Sequence, residues 1–272
     1  MLGRPASRVP ATRRTLAADL RQMGIASGDA VMVHAALRSV GPVVGGADMV
    51  IAALRDAVGP TGTLLAYADW QGMDDVLSDP AIRNDPALRP DIPPFDVATS
   101  RATRDNGSFP ELLRTTPGAL RSGNPGASCV ALGHRAEFFV ADHALDFGYG
   151  PESPFGELVA AEGKVLMLGA PLDTMTLLHH AEHLARLPDK PMITVEAPLL
   201  VDGKVVWRTW REFNTSDPIV RSLPDDYFAL IVEAFLETGR GTRGTVGRAP
   251  CVLVPAAEIV RFGVAWLESR FG

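Results

Sequence analysis

The sequence has 272 residues, 46% of them hydrophobic and 21% charged, and this composition excludes a disordered or fibrous protein. The formal net charge is −6 and no run of Lys or Arg occurs, which argues against a nucleic-acid partner. Cys129 and Cys251 are too far apart for a CxxC zinc site or a disulfide framework, which fits a reducing compartment. We find neither a signal peptide nor an apolar run of about 18 residues, so we expect a cytoplasmic protein that does not bind membranes.

The first 70 residues alternate between helical and strand patterns. Apolar residues recur with helical spacing over 12–24 and again over 47–58. Short apolar runs at 29–36 and 63–68 indicate two buried strands. This α-β-α-β order is typical of parallel strands covered by helices.

The rest of the chain starts with a long segment, 69–107, whose aspartates and prolines predict a functional or disordered loop. After it we predict helices at 109–114, 154–161, 173–187, 225–238 and 256–271, and strands at 128–132, 164–168 and 251–254. Two more strands, 192–201 and 204–213, flank Val201-Asp202-Gly203, a hairpin turn signal. We therefore expect one domain over residues 1–272. Its class is α/β, with three α/β/α layers around a central, mostly parallel or mixed sheet and an inserted β-hairpin.

Three of the six histidines lie close together in the predicted helix over 173–187. His179, Glu182 and His183 share one face of such a helix, because residues three and four apart are neighbours. In one interpretation, Glu182 hydrogen-bonds one ring nitrogen of His179 and leaves the other as a general base. A solvated surface helix would explain the same residues, but an adjacent apolar stripe indicates the edge of a buried face. That stripe comprises Leu177, Leu178, Ala181, Leu184 and Ala185.

The same residues also match the H-x-x-E-H pattern of inverted zinc peptidases, from His179 to His183. A zinc-dependent hydrolase of this kind requires a third carboxylate ligand from a later helix. The candidates are Glu233, Glu237 and Glu258, and the sequence does not rank them.

His34 ends the first predicted strand, where ligands gather in open α/β sheets, although a hydrogen-bonded core histidine is equally consistent. The loop after it carries Ser39 and several glycines before a helix N-terminus, and Arg38 can make a bidentate phosphate contact. Residues 239–244 match GxGxxG but follow a helix, so they predict a helix cap and a turn. The sequence contains no G-x-S-x-G elbow, which argues against a serine hydrolase.

Several segments resemble, in the same order, the motifs of the aminoglycoside N3-acetyltransferases. They are VHAALRSVG at 33–41, GGA at 45–47, GTL at 62–64, Arg121-Ser122 with Pro125, YGPESP at 149–154, VLMLG at 165–169 and TLLHHAE at 176–182. The resemblance extends from about residue 12 to the C-terminus. It implies transfer of an acetyl group from acetyl-CoA to the 3-amino group of a 2-deoxystreptamine aminoglycoside, and hence antibiotic resistance. We expect a monomer or homodimer that requires no metal.

The resemblance also implies roles for individual residues. His179 is the general base and Glu182 orients it. The reaction itself requires a donor to the tetrahedral oxyanion, for which His34 and a main-chain N–H are alternatives that the sequence does not separate. The cofactor-binding residues are Ala35, Ala36, Leu37, Arg38, Ser39, Val40, Ser122 and Ser153. The acceptor-binding residues are Tyr67, Asp69, Asp74, Asp75, Glu212 and Asn214.

Three positions depart from the family pattern. Serine, histidine and aspartate are common where this chain has Ala36, Asn124 and Asn214. These departures affect the expected range of acceptors more than the reaction. A non-catalytic binding protein that keeps the pocket is a further alternative, which release of coenzyme A from acetyl-CoA would exclude.

Overall fold

The computed structural model describes residues 9–272, with the side chains of residues 74 and 76 excepted. The α-helices in this range are α1 (Arg13–Gln22), α2 (Ala47–Val58), α3 (Pro80–Arg83), α4 (Phe109–Arg114), α5 (Ala136–Val140), α6 (Pro154–Ala160), α7 (Leu177–Leu184), α8 (Tyr227–Glu237) and α9 (Ala256–Phe271). The strands are β1 (Ala30–Ala35), β2 (Thr63–Tyr67), β3 (Leu120–Arg121), β4 (Cys129–Gly133), β5 (Lys164–Leu168), β6 (Met192–Val201), β7 (Lys204–Phe213), β8 (Thr242–Val246) and β9 (Ala249–Pro255). Among the described helices, none has both the length and the apolar character needed to cross a bilayer.

The central sheet has seven strands in the order β3-β4-β2-β1-β5-β9-β8. Strand β1 runs parallel to β2 and β5, whereas the outer pairings are antiparallel. The sheet is therefore mixed, which confirms the second of the two predicted arrangements. Strands β6 and β7 form the predicted hairpin as a separate two-stranded sheet.

Two apolar cores lie on opposite faces of the central sheet, because successive strand residues point to opposite sides. On one face, Met32 and Leu65 pack in a cluster with helices α5 to α9. On the other, Val31 and Leu64 pack with helices α1, α2 and α4. This arrangement confirms the predicted three layers and places the C-terminal ends of β1, β2 and β5 at one edge of the sheet.

A third, smaller core joins the long loop 69–107 to the hairpin. Its buried members are Trp70, Leu77, Ile92, Phe95, Ala197, Leu199 and Trp210. The main chain of Phe95 donates to Pro198 and accepts from Leu200, each at 2.8 Å. Residues 69–107 thus pack against the hairpin, and together with 192–213 we call them the loop–hairpin unit.

The structure differs from the predicted elements in a few places. The helix expected over 173–187 is split into a short 3₁₀ turn at Leu172–Thr174 and α7, because Met175 leaves the helical region. Leu184, which we placed in the apolar stripe, is exposed. Helix α5 and the edge strands β3 and β8 were missed, and β8 begins inside the predicted turn at 239–244.

Gly169 lies directly after β5, and we expect its replacement by alanine to destabilise the fold by about 2–4 kcal/mol. Its φ of +67° is unfavourable for alanine, and a Cβ there would collide with the hydroxyl of Ser39. Gly203→Ala is the matched control, because Gly203 has a φ of +73° and open space around it. Urea unfolding of both variants measures the difference. Equal losses of unfolding free energy would show that the collision with Ser39 is relieved.

Candidate active site

A large cavity, of about 910 Å³, opens at the C-terminal end of β1. Four of the predicted cofactor-binding residues line it: Ala35, Ala36, Leu37 and Arg38. The side chains of the next two residues face inward instead. Ser39 donates its hydroxyl proton to the carbonyl of Ala36 at 2.7 Å, and Val40 is buried in the core.

The opposite wall of this cavity comes from the long loop and contributes two cations that the sequence analysis did not single out. Arg101 and Arg104 line the cavity with Arg38 on the other side. Arg101 also pairs with Glu111 at 2.5 Å. Although burial raises the pKa of Glu111, hydrogen bonds from Arg114 and Arg101 outweigh it and lower the pKa to about 2. The cavity thus presents guanidinium groups suited to a phosphorylated ligand.

The predicted acceptor residues of the long loop do not form one cluster. Asp75 lies in the wall of the large cavity and accepts a hydrogen bond from Gln71 at 2.9 Å. Asp69 is largely buried and accepts from Asn106 at 2.5 Å. The side chain of Asp74 lies outside the described residues.

A smaller compartment of about 170 Å³ adjoins the large cavity and is lined by His34 and Tyr67. Burial lowers the pKa of His34 to about 4, so its ring is neutral at physiological pH. Its Nε2 is buried and has no hydrogen-bond partner among the described residues. The hydroxyl of Tyr67 lies 2.8 Å from that of Tyr149, and burial raises the pKa of Tyr67, which keeps it protonated.

His179 and Glu182 form the pair that the helical spacing predicts. The Nδ1 atom of His179 lies 2.6 Å from a carboxylate oxygen of Glu182, with the side chains 20% and 4% exposed. The imidazole ring is held between Tyr149 and Phe228, with ring centroids 4.9 and 4.8 Å away. Because Glu182 engages Nδ1, the second ring nitrogen of His179 is left for proton transfer.

The other two histidines of the cluster have different surroundings. His180 is buried and its Nδ1 lies 2.7 Å from the carbonyl of Tyr149. The ring of His183 packs against Phe147 and Phe213, and burial lowers its pKa to about 4. Only His179 of the three therefore combines a carboxylate partner with an accessible edge.

The zinc alternative finds no support in the side-chain arrangement. Within the described part of the chain, no three His, Cys, Asp or Glu side chains converge as metal ligands. Glu233 pairs with Arg243, and Glu258 lies 3.8 Å from Arg240. Two of the three carboxylates considered as a third ligand are thus engaged by arginines.

An acidic pocket of about 200 Å³ lies beside His179. Asp173, Asp217 and Asp225 line it, and the sequence analysis named none of them. Asn214, a predicted acceptor residue, reaches its rim by donating to Asp217 at 2.8 Å. Asp217 and Asp225 come from the connection between β7 and α8, and Asp173 comes from the 3₁₀ turn before α7, so no single local pattern in the sequence groups all three.

Three further residues with predicted ligand contacts have buried side chains that bind main-chain groups. The carboxylate of Glu212 accepts from the main-chain N–H groups of Gly148 and Phe213, and burial raises its pKa to about 7. Ser122 is fully buried and accepts from the N–H of Cys129, while Ser153 caps helix α6. These side chains support the loops around the site and do not face its cavities.

A histidine paired with a carboxylate at an acidic pocket, together with a separate cavity lined with arginines, is an arrangement expected of an enzyme that transfers a group between two substrates. Residues 32–268 match the family model described as aminoglycoside 3-N-acetyltransferase. The chain belongs to this family, and it is an acyltransferase whose acceptor is an aminoglycoside.

Individual relatives support this assignment over nearly the whole chain. Aminoglycoside N(3)-acetyltransferase III of Pseudomonas aeruginosa is 47% identical over 265 residues, which cover 97% of this chain and 96% of the relative. The solved structure of AAC-IIIb in a binary complex with CoASH is 60% identical, with a TM-score of 0.93 and coverage of 97% and 98%. The room-temperature neutron/X-ray structure of sisomicin-bound AAC-VIa is 37% identical, with a TM-score of 0.89 and coverage of 97% and 100%.

Proposed function

We propose that this enzyme transfers the acetyl group of acetyl-CoA directly to the 3-amino group of a 2-deoxystreptamine aminoglycoside, with His179 as the general base. This acetylation would confer resistance to the antibiotic. The observation that carries the mechanism is the 2.6 Å contact between His179 and the nearly buried Glu182. No acetyl-enzyme and no metal take part in the proposed reaction.

The large cavity is the proposed site of the donor. Its volume of about 910 Å³ suits a ligand as long as coenzyme A, and a relative with 60% identity was solved with CoASH. Arg38, Arg101 and Arg104 would bind the phosphate groups, since guanidinium makes strong charge-assisted hydrogen bonds with them. Ala35 and Ala36 would contact the pantetheine arm through their main chain.

The acidic pocket is the proposed site of the acceptor. An aminoglycoside is a polycation, and the three aspartates of this pocket supply opposite charge next to His179. A relative was solved with sisomicin bound, which supports the substrate class. Binding there would hold one amino group close to the imidazole, and such positioning is a large part of catalysis by enzymes with two substrates.

The chemistry follows from the protonation states. The acceptor amine is mostly protonated near neutral pH and must lose a proton before its nitrogen can attack the thioester carbonyl carbon. His179 takes this proton while Glu182 stabilises the resulting imidazolium. The new C–N bond forms, the C–S bond breaks, and the thiolate of coenzyme A leaves and takes up a proton. We propose the neutral imidazole of His34 as the hydrogen-bond donor to the intermediate oxyanion.

The proposed function is tested by incubating the purified protein with acetyl-CoA and sisomicin. We expect release of coenzyme A thiol that depends on sisomicin, and a product whose NMR spectrum shows the acetyl group on the 3-amino nitrogen. Activity should persist in a strong chelator. The proposal would be contradicted if no aminoglycoside of a panel caused thiol release. It would also be contradicted if the purified protein contained stoichiometric zinc and a chelator removed both the zinc and the activity.

Neutralising the acidic pocket should weaken binding of the acceptor and leave binding of the donor unaffected. For the double variant Asp217→Asn, Asp225→Asn we expect the apparent KM for sisomicin to rise about tenfold, because each exposed ion pair is worth up to about 1 kcal/mol. The effect should shrink at high salt, since salt screens exposed charges. Asp142→Asn, at an exposed site outside the pocket, is the control. An equal rise in the KM for acetyl-CoA would place the acceptor elsewhere.

A further inference from the structure

The compartment of about 170 Å³ beside the large cavity has two kinds of wall. One wall, which we call the inner wall, is made of strand ends and small apolar side chains, among them Ala36 and Ala170, which are partly buried. The other lining residues include Asp105 of the long loop, Pro171 and Thr174, which are exposed. The compartment is therefore a pocket at the sheet edge with one side open to solvent.

The compartment lies between the two proposed substrate sites. It shares Ala35, Ala36 and Gly107 with the large cavity, so the two adjoin at the C-terminal end of β1. On the other side, Tyr67 contacts Tyr149 through the two hydroxyls, 2.8 Å apart. The ring of Tyr149 in turn lies 4.9 Å from that of His179. Tyr67 and Tyr149 thus link the compartment to the proposed base by direct contacts.

The inner wall is held by main-chain hydrogen bonds and leaves little freedom to move. The N–H of Ala36 donates to Leu168 at 3.0 Å, and that of Gly169 donates to Pro250 at 2.9 Å. The size of the compartment is consequently set by the side chains at its surface. A volume of about 170 Å³ equals that of five or six waters at about 30 Å³ each, which is more than the three heavy atoms of an acetyl group require.

We propose that this compartment holds the acyl group of the donor thioester, accepts short linear acyl chains of up to about four carbons, and has its length limit set by Ala170. This inference rests on the proposed function, since it assumes that an acyl-CoA lies in the large cavity. Ala170 is a specificity-determining residue in this assignment, because it lines the compartment but not the large cavity, and a larger side chain there reduces the volume of the compartment alone.

The test compares acetyl-CoA, propionyl-CoA and butyryl-CoA as donors to sisomicin, for the wild-type enzyme and for Ala170→Leu. For the wild type we expect kcat/KM with propionyl-CoA within about tenfold of that with acetyl-CoA. In Ala170→Leu, kcat/KM with butyryl-CoA should fall at least about tenfold more than with acetyl-CoA, as expected when a pocket loses room for methylene groups. Ala18→Leu, on the exposed face of α1, is the matched control.

Other outcomes distinguish failure of the role of Ala170 from failure of the proposed function. Equal loss with all three donors, in a variant whose circular dichroism matches the wild type, would overturn the role of Ala170. If the wild type transfers no acyl group at all, the proposed function fails. Calorimetric titration with butyryl-CoA and with free coenzyme A then tests whether the compartment holds the acyl group. Ala170→Leu should weaken the binding of butyryl-CoA and leave the binding of free coenzyme A unchanged. Ala170→Val, with a smaller side chain, provides the same comparison if Ala170→Leu does not fold.

Discussion

Replacing His179 by alanine is expected to lower kcat at least about 100-fold, because a positioned general base typically contributes 10²–10⁴-fold. The binding of acetyl-CoA should be nearly unchanged, since His179 lines the acidic pocket and not the large cavity. Steady-state kinetics by thiol release, together with calorimetric titration of coenzyme A, measures both quantities. The acetyl transfer that remains should increase with pH as more acceptor amine loses its proton without help.

Two controls identify the base. Glu182→Gln keeps a group of the same shape at Nδ1 of His179 but removes the negative charge that stabilises imidazolium, so we expect a smaller loss of kcat. His134→Ala, at an exposed position away from the site, should leave kcat unchanged. Turnover within a few-fold of wild type in His179→Ala would show that another group removes the proton.

Replacing His34 by leucine is expected to lower kcat about 10²–10³-fold while leaving the folded state as stable as before. The first effect follows from the loss of one preorganised donor to the oxyanion. The second follows because the buried Nε2 of His34 has no partner among the described residues, so an apolar side chain of similar size costs no hydrogen bond. Thermal unfolding and steady-state kinetics on the same preparation provide the comparison.

A purely structural role for His34 predicts the opposite pattern. In that case His34→Leu would lower the free energy of unfolding and would affect KM and kcat together. His34→Gln, which retains an N–H donor on a side chain of similar length, should recover part of kcat. A variant that is less stable but fully active would refute the assignment of His34.

Local sequence patterns predicted most of the fold, for reasons that individual elements make clear. The hairpin follows from Val201-Asp202-Gly203, because Asp202 and Gly203 both adopt the positive φ that such a turn requires. Strand β8 was missed because its residues are mostly exposed at the sheet edge and carry no apolar alternation. The helix over 173–187 was overestimated because periodicity does not register the break in backbone conformation at Met175.

The candidate site could be predicted only where it depends on local spacing. The contact between His179 and Glu182 is a consequence of their separation by three residues on a helix. Arg101, Arg104 and the three aspartates of the acidic pocket are brought together by tertiary structure, so the sequence alone does not group them. Ser122 and Glu212 lie in segments that resemble the family's motifs, but their side chains accept hydrogen bonds from main-chain N–H groups of the supporting loops. The sequence alone does not distinguish such a supporting residue from one that contacts a ligand.

The small core of the loop–hairpin unit bears on how enzymes of this kind diversify. Trp70 and Phe95 of the loop and Trp210 of the hairpin are buried in one cluster that is distinct from the two cores of the central sheet. The loop also contacts the sheet, since Ala102 belongs to one of its cores and Arg121 of β3 donates to the carbonyl of Ser100. A change in the packing surface of one segment therefore demands a matching change in the other. Chimeric enzymes should accept 69–107 and 192–213 from a relative when both are transplanted together, and should misfold locally when only one is. Among natural relatives, substitutions in 69–107 are accordingly expected to be correlated with substitutions in 192–213.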